Sequence, residues 1–293
     1  GTLLYDKGDY IKAASTLKMA ADNGHVDAML FYANMLNEGE KIESNKEEAI
    51  QYYRIAAENS KFEAMHEYAL LLLMGDGVKQ DLEEAAHLFG VAASHGFIPS
   101  MFNYAMMLLK GKGIDCNKKQ ASKYFQKAAD KGDAESAKRF YKMIDAGEGI
   151  PIDHKMSAVY CKIAADNGDI ESMYIYGLKC IKGEGVAIDY KVAVKYFKNA
   201  ADRGKMEAYL SLAQILEIGK GVKLNKKEAA YIYKNAADNG HVESMFTYAN
   251  KLYDGDGIDQ NKREAARYYR MAANKGHKEA TLKYTKMLKN GDG

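Results

Sequence analysis

A serine and a lysine near the N-terminus have the spacing of a nucleophile motif. Ser15 and Lys18 are three residues apart in the segment STLK. In an S-x-x-K motif the lysine lies one helical turn from the serine and can activate it for attack on an acyl group. The S-D-N and K-T-G sequences that accompany this motif do not occur in the 293 residues. We therefore interpret this match as a coincidence and predict that the protein is not an enzyme.

Carboxylates recur along the chain at a constant spacing and could form a ladder for a metal or a basic partner. They are Asp27, Glu63, Glu135, Glu171, Glu207, Glu243 and Glu279, with Pro99 at the eighth place. Each precedes an apolar pattern of helical period and therefore falls in the first turn of a predicted helix. A negative charge there stabilises the helix dipole, so a local role explains the pattern better than a metal site does.

The histidines, the cysteines and the Gly-x-Gly pairs show no spacing that is typical of a metal, redox or phosphate-binding site. His25, His241 and His277 lie two residues before members of the acidic row, and no H-x-x-x-H pair occurs. We expect these histidines to cap helices. Cys116, Cys161 and Cys180 form no C-x-x-C pair. We predict two buried thiols and one loop thiol, with no disulfide framework, no metal and no cofactor. The Gly-x-Gly pairs lack the rest of a phosphate loop.

A repeat of 36 residues underlies all these spacings. An Ala-Ala dipeptide ends at Ala21, Ala57, Ala93, Ala129, Ala165, Ala201, Ala237 and Ala273. Counting each repeat from that second alanine as position 0, glycine stands at position 18 in all eight repeats and at positions 3 and 20 in seven. Glycines with almost no proline indicate chain reversals that need positive φ. A fixed period of this length is typical of stacked repeat architectures.

Two amphipathic helices are predicted in each repeat. Helix A carries small or apolar residues at positions 7, 8, 11, 12 and 15, and helix B carries them at positions 28, 31, 32, 35 and 36. Position 24 is always Asn or Asp, and we predict that it caps helix B. Glu or Gln follows three residues later in five repeats and indicates a capping box. One such hairpin cannot bury its own apolar face, whereas stacked neighbours can.

The predicted fold is all-α: a right-handed α-solenoid of 36-residue helix-turn-helix repeats, with about eight helix pairs in one domain over residues 1–293. Neither end carries the polar cap that terminal repeats need. We therefore expect the chain to be a piece of a longer protein.

One repeat carries the pattern of a known family almost throughout. The matching residues are Ala237, Gly240, Ser244, Tyr248, Ala249, Gly255, Gly257, Ile258, Asn261, Ala265, Tyr268, Tyr269, Ala272 and Ala273. This pattern resembles the Sel1-like repeat family, which is similar to the tetratricopeptide repeats. The resemblance covers the whole chain. It implies a scaffold or adaptor whose concave face, lined by helix A, holds a peptide or a partner protein.

Composition narrows the range of partners. A net charge of +2 and 47% apolar residues give no reason to expect nucleic acid. No apolar stretch is long enough to cross a membrane, so we expect no membrane insertion. The chain contains no N-x-S/T sequon. We take this as evidence against a secretory compartment and expect a cytoplasmic location.

The residues that differ between repeats beside the core stripe of helix A lie at positions 9, 13 and 16. Several of them are apolar in repeats two, three, five and seven, and repeat four is basic. The candidates for partner binding are Leu70, Leu73, Phe102, Met106, Leu109, Lys138, Lys142, Tyr174, Leu178 and Phe246. An apolar surface crossed by a basic step would suit an amphipathic helix or an extended segment with an acidic residue.

Three alternatives remain open at this stage. Close packing between neighbouring A helices would make the candidate leucines part of the core. Independently, the two lysines could be ordinary surface charges. The chain could also be a structural spacer arm for a domain outside this sequence. The third alternative is an enzyme of the penicillin-recognising kind, which would need a base beside Ser15.

Overall fold

The computed structural model describes residues 1–292, and within that range every regular element is an α-helix. The helices group into two compact units, Gly1–Ile152 and Asp153–Gly293. Within each unit, each helix packs mainly against the helices that precede and follow it. The predicted all-α solenoid of helix-turn-helix repeats is confirmed. The expectation of one domain over residues 1–293 stays a prediction.

The N-terminal unit contains one short helix followed by four helix pairs. Its helices are α1 (Thr2–Asp6), α2 (Tyr10–Asp22), α3 (Val26–Glu38), α4 (Lys46–Glu58), α5 (Phe62–Met74), α6 (Leu82–Ser94), α7 (Ile98–Lys110), α8 (Lys118–Ala129) and α9 (Ala134–Ala146).

The C-terminal unit contains four helix pairs of the same length. Its helices are α10 (His154–Asp166), α11 (Ile170–Lys182), α12 (Tyr190–Asp202), α13 (Met206–Ile218), α14 (Lys226–Asp238), α15 (Val242–Asp254), α16 (Lys262–Asn274) and α17 (Lys278–Asn290).

The predicted apolar faces of both helix types are the buried ones. In α3, an A helix, the buried residues include Ala28, Met29, Tyr32, Ala33 and Leu36. In α4, a B helix, they are Ala49, Tyr52, Tyr53, Ala56 and Ala57. The alanines allow neighbouring helices to approach closely, and the large side chains fill the space between them.

The side chain at position 24 caps helix B in all eight repeats, as predicted. In each case the Asn or Asp side-chain oxygen accepts from an amide in the first turn, for example Asn225 from Glu228 at 3.1 Å. The whole set of caps is Asp9, Asn45, Asp81, Asn117, Asp153, Asp189, Asn225 and Asn261.

The second half of the predicted capping box has a different geometry. The cap residue's own backbone N–H donates to the end of helix A, as Asn225 does to the Leu216 carbonyl at 2.9 Å. That donor is therefore unavailable to the glutamate three residues later. The Glu228 carboxylate instead accepts from the Asn225 side-chain amide at 2.7 Å. The cap thus joins the C-terminus of helix A to the N-terminus of helix B.

The cap predicts a measurable loss of stability. We expect Asn225→Ala to lower the free energy of unfolding by about 1 kcal/mol, because a first-turn amide loses its acceptor. Asn225→Asp keeps that acceptor, and aspartate fills the same position in repeats such as the one that begins at Ala57, so it should cost clearly less. Urea unfolding followed by circular dichroism measures both variants. Equal losses in both would show that the cap bond is not the source.

Two glycine positions in each turn serve different purposes. Gly111, at position 18, ends α7 in the left-handed conformation with φ 64°. Gly113, at position 20, also has positive φ (67°), and a Cβ there would lie 2.0 Å from the carbonyl oxygen of Leu82. Position 20 therefore needs glycine for conformation and also for space, because the turn lies directly against the first residue of the preceding B helix.

Candidate functional site

The candidate residues of the N-terminal unit lie on the neighbouring helices α5 and α7. A hydrogen bond of 2.9 Å between His66 Nδ1 and Ser100 Oγ joins these two A helices. Five apolar side chains along them are partly buried, whereas residues at positions 8, 12 and 15 of both helices are buried. The five are Leu70, Leu73, Phe102, Met106 and Leu109.

Each of these side chains divides its surface between the core and the solvent. Leu70 and Leu73 pack against the buried cluster that contains Phe89 and Leu72. The Phe102 ring meets the buried Phe125 ring edge-on, at 5.8 Å between centroids. The alternative that these residues belong to the core therefore holds for one side of each side chain, and the other side is accessible to solvent. We refer to these five residues as the apolar row.

Helix α9 differs from the other A helices of its unit in the charge of its outer face and in the size of its side chain at position 12. Lys142 is exposed, and Lys138 is partly buried with Glu135 at 3.8 Å. Tyr141 stands where other repeats have a small residue, and it is 2% exposed. The core therefore accommodates the large side chain at position 12, and the two lysines lie on the outer part of the helix.

In the C-terminal unit two of the three candidates, Tyr174 and Phe246, make contacts through their aromatic rings. Tyr174 and Leu178 on α11 are partly buried. The Lys205 ammonium lies over the Tyr174 ring, 5.5 Å from its centroid. Phe246 on α15 is stacked with His277 at 4.4 Å between ring centroids. These contacts order the candidate side chains without burying them.

The acidic row has a role that the local interpretation missed. Glu171 accepts from Lys205 Nζ at 2.6 Å, and Asp27 from Lys61 at 2.8 Å. The hydrogen bond from Lys61 lowers the pKa of Asp27. Each pair joins position 6 of one repeat to position 4 of the next, 34 residues on. That spacing between acid and base is the sequence signal that would have predicted these inter-repeat ion pairs.

The histidines and cysteines behave largely as predicted. His241 and His277 cap their helices by accepting from the amides of Ser244 and Ala280. His25 makes no side-chain cap bond. The three cysteines are thiols: one is exposed in a turn, and two are buried.

Lys18, the candidate base for Ser15, is paired with a carboxylate. The ammonium of Lys18 donates to the Glu48 carboxylate at 2.5 Å. This hydrogen bond raises the pKa of Lys18 and holds the amine in its protonated form, which cannot take a proton from a serine hydroxyl. The geometry therefore favours the interpretation of the S-x-x-K match as a coincidence.

His66 is a buried polar residue that the sequence did not mark. It is 7% exposed, and its ring lies 5.4 Å, between centroids, from the rings of both Phe89 and Phe97. Burial lowers the pKa of His66 to about 4. The imidazole is therefore neutral at physiological pH and serves to hold α5 against α7 through Ser100.

No helix among residues 1–292 has the length and apolar character needed to cross a membrane.

Among the solved structures that resemble the chain, two align with nearly all of it. A protective antigen of uropathogenic Escherichia coli strains, c5321, has a TM-score of 0.74 and 23% identity, over 99% of this chain and 71% of that one. A Sel1 repeat protein from Oxalobacter formigenes has a TM-score of 0.64 and 20% identity, over 96% and 81% of the two chains. At these identities the likeness shows the fold. The chain has no significant match among curated protein sequences.

The Sel1 repeat model matches the chain seven times. The matched segments are residues 26–61, 62–97, 98–133, 142–169, 170–205, 207–241 and 242–277. The fourth match begins only at residue 142, within α9, and so leaves out the part of that helix that carries Lys138 and Tyr141. Together the segments span well over half of the sequence. The chain therefore belongs to the Sel1 repeat family.

Proposed function

We propose that the protein is a non-catalytic scaffold that binds a peptide or protein segment on the A-helix side of the N-terminal unit. The observation that carries this proposal is the apolar row, five large apolar side chains that keep part of their surface accessible on two adjacent helices. Contiguous exposed apolar surface often marks a partner site. Sel1 repeat proteins typically bind proteins, which supports the same conclusion.

The chemistry of the surface suggests the character of the bound segment. Apolar side chains at helical or alternating spacing would fit between Leu70, Leu73, Phe102 and Met106. An acidic residue beyond them would meet Lys142, which is exposed. Aromatic anchors in partly buried pockets carry most of the energy in such interfaces, so Phe102 is the residue whose loss should matter most.

The candidates of the C-terminal unit form a second part of the proposal. Tyr174 and Leu178 share α11, and Phe246 lies on α15. The Tyr174 ring is in contact with Lys205, and the Phe246 ring with His277. An ordered aromatic side chain loses little conformational entropy when a partner covers it, which favours binding.

Selection of peptides from a random displayed library tests the proposal. The wild-type protein is compared with the triple variant Phe102→Ala, Met106→Ala, Lys142→Glu. We expect peptides with apolar residues and an acidic residue to be enriched on the wild type. Their affinity for the triple variant should fall at least about 30-fold, because loss of an aromatic anchor costs more than about 2 kcal/mol.

A matched control makes the same kinds of substitution on B helices instead of A helices. The variant Ile11→Ala, Met19→Ala, Lys123→Glu removes two exposed apolar side chains and reverses one lysine on B helices of the same unit. It should bind the selected peptides as the wild type does. If the two triple variants, both with wild-type melting, bind equally well, the apolar row is not the site and a spacer role gains support.

A further inference from the structure

In both units, a tyrosine at position 31 of helix B packs against side chains of the two preceding helices. We call the site that these side chains form the socket. Tyr52 on α4 donates its hydroxyl to the carboxylate of Asp22, at the end of α2, at 2.5 Å. Its ring meets the Tyr32 ring of α3 edge-on, at 5.4 Å between centroids. The socket is thus a carboxylate at position 1 and a tyrosine ring at position 11, and its occupant is a phenol.

The same socket recurs twice in the C-terminal unit. Tyr196 donates to Asp166 at 2.5 Å and Tyr268 to Asp238 at 2.6 Å. A lysine four residues before each aspartate pairs with it, for example Lys234 with Asp238 at 3.2 Å. These two sockets therefore contain a cation, a carboxylate and a tyrosine ring.

In repeat two the cation, the carboxylate and the tyrosine ring are present, but the residue at position 31 is not a tyrosine. Glu58 supplies the carboxylate, Arg54 is 3.7 Å from it, and Tyr68 supplies the ring at position 11. Position 31 is Leu88, which is buried at 8% exposure. Leucine has no hydroxyl to offer to Glu58, and its side chain ends short of the place that a phenol oxygen occupies in the other repeats.

A cavity of about 580 Å³ lies at this place, between α4 and α6. Apolar residues line its inner part, and polar or charged residues line its mouth. The inner residues are Ala57, Met65, Tyr68, Leu88 and Val91, and those at the mouth include Arg54, Glu58, Asp81, Glu84 and His87. An apolar interior with a few convergent polar groups is the usual form of a binding site.

We propose that this cavity binds the side chain of a tyrosine on a partner polypeptide. The phenol hydroxyl donates to the Glu58 carboxylate, and the ring lies against Tyr68. The internal tyrosines show that a phenol carried on a polypeptide satisfies these groups, and because Leu88 occupies position 31, a tyrosine of another chain would enter through the mouth. Phosphotyrosine is disfavoured because three carboxylates, Glu58, Asp81 and Glu84, surround the mouth and would repel a phosphate.

Repeat six also lacks a tyrosine at position 31, but it does not keep the rest of the socket. There, position 31 is Ile232 and position 11 is Leu212, and both are buried. The apolar pair replaces both rings of the socket together, so no ring remains for a phenol to contact. Ile232 is therefore a matched control position for Leu88.

The experiment is a titration of the isotope-labelled full chain with N-acetyl-tyrosinamide, followed by nuclear magnetic resonance. We expect shifts at the methyl groups of Met65 and Leu88. N-acetyl-phenylalaninamide should bind about 5-fold more weakly, because it cannot donate to Glu58. Glu58→Gln should weaken the tyrosine probe by a similar factor and leave the phenylalanine probe unchanged. Equal binding of the two probes to the wild type would overturn the proposal.

Leu88→Tyr fills the cavity from within the chain. It should weaken N-acetyl-tyrosinamide at least about 10-fold, since an internal phenol competes at effectively high concentration. Ile232→Tyr should leave binding unchanged. If folded Leu88→Tyr binds the probe as the wild type does, the cavity is not the site. If p-cresol binds and N-acetyl-tyrosinamide does not, a free phenol is the ligand and the polypeptide assignment is wrong. Should Leu88→Tyr fail to fold, Glu58→Gln decides between the same outcomes.

Discussion

Gly113→Ala is expected to destabilise the N-terminal unit by about 4 kcal/mol. About 1–2 kcal/mol comes from holding an alanine at positive φ, where Gly113 has φ 67°. A further 1–3 kcal/mol comes from the overlap with neighbouring atoms. The added Cβ would lie 2.0 Å from the Leu82 carbonyl oxygen. That oxygen belongs to the backbone of the first residue of α6 and cannot rotate away, so α6 and the turn must separate.

Gly96→Ala is the matched control in the same repeat. Gly96 also has positive φ (95°), but no atom lies within 4 Å of the place of its Cβ. We expect a loss of about 1–2 kcal/mol, which is the conformational part alone. Urea unfolding gives the two free energies, and hydrogen exchange of α6 and α7 amides shows whether the loss is local. If both variants lose the same stability, close approach at position 20 is not what selects glycine.

The second expected result is an acid-dependent loss of stability of about 3 kcal/mol that arises from His66 alone. Burial lowers its pKa from 6.5 to about 4 in the folded state. Each pKa unit corresponds to about 1.4 kcal/mol. The unfolded chain binds the proton more readily, so unfolding takes up a proton between these two pH values. The stability is therefore complete above pH 6.5, falls as the pH decreases toward about 4, and shows no further slope from this group below that.

The double variant His66→Leu, Ser100→Ala removes this titration and should keep the packing between neighbouring repeats. Repeats one and two already pair Leu30 with Ala64 at the same two positions. Urea unfolding across this pH range should show a smaller loss in the double variant than in the wild type. The difference between the two isolates His66 from the carboxylates, which titrate in both. Identical pH profiles would show that the buried imidazole is not the acid-sensitive group.

The local structure followed closely from the residues. The buried faces of α3 and α4, the caps at position 24 and the left-handed glycines at position 18 were all predicted correctly. They depend on residues within one helical turn of each other. The capping box was only half right, because the amide of Asn225 bonds to helix A. That partner is nine residues earlier and belongs to another element.

The site was less predictable for the same reason. Leu70 and Phe102 could be named from their positions, but whether such side chains are core or surface depends on how closely α5 and α7 approach. His66 and Ser100 are 34 residues apart, and so are Glu171 and Lys205. Only the packed repeats bring these pairs within hydrogen-bond distance.

The sequence by itself determined the period, the helix pairs, the turns and the family, because each depends on local propensity repeated in phase. The tertiary structure alone decided three further features. These are the partial burial of the apolar row, the depressed pKa of His66, and the cavity beside Leu88. Each arises where neighbouring repeats differ, and its geometry is set by the distance between packed helices. A pattern within one helix carries no information about that distance.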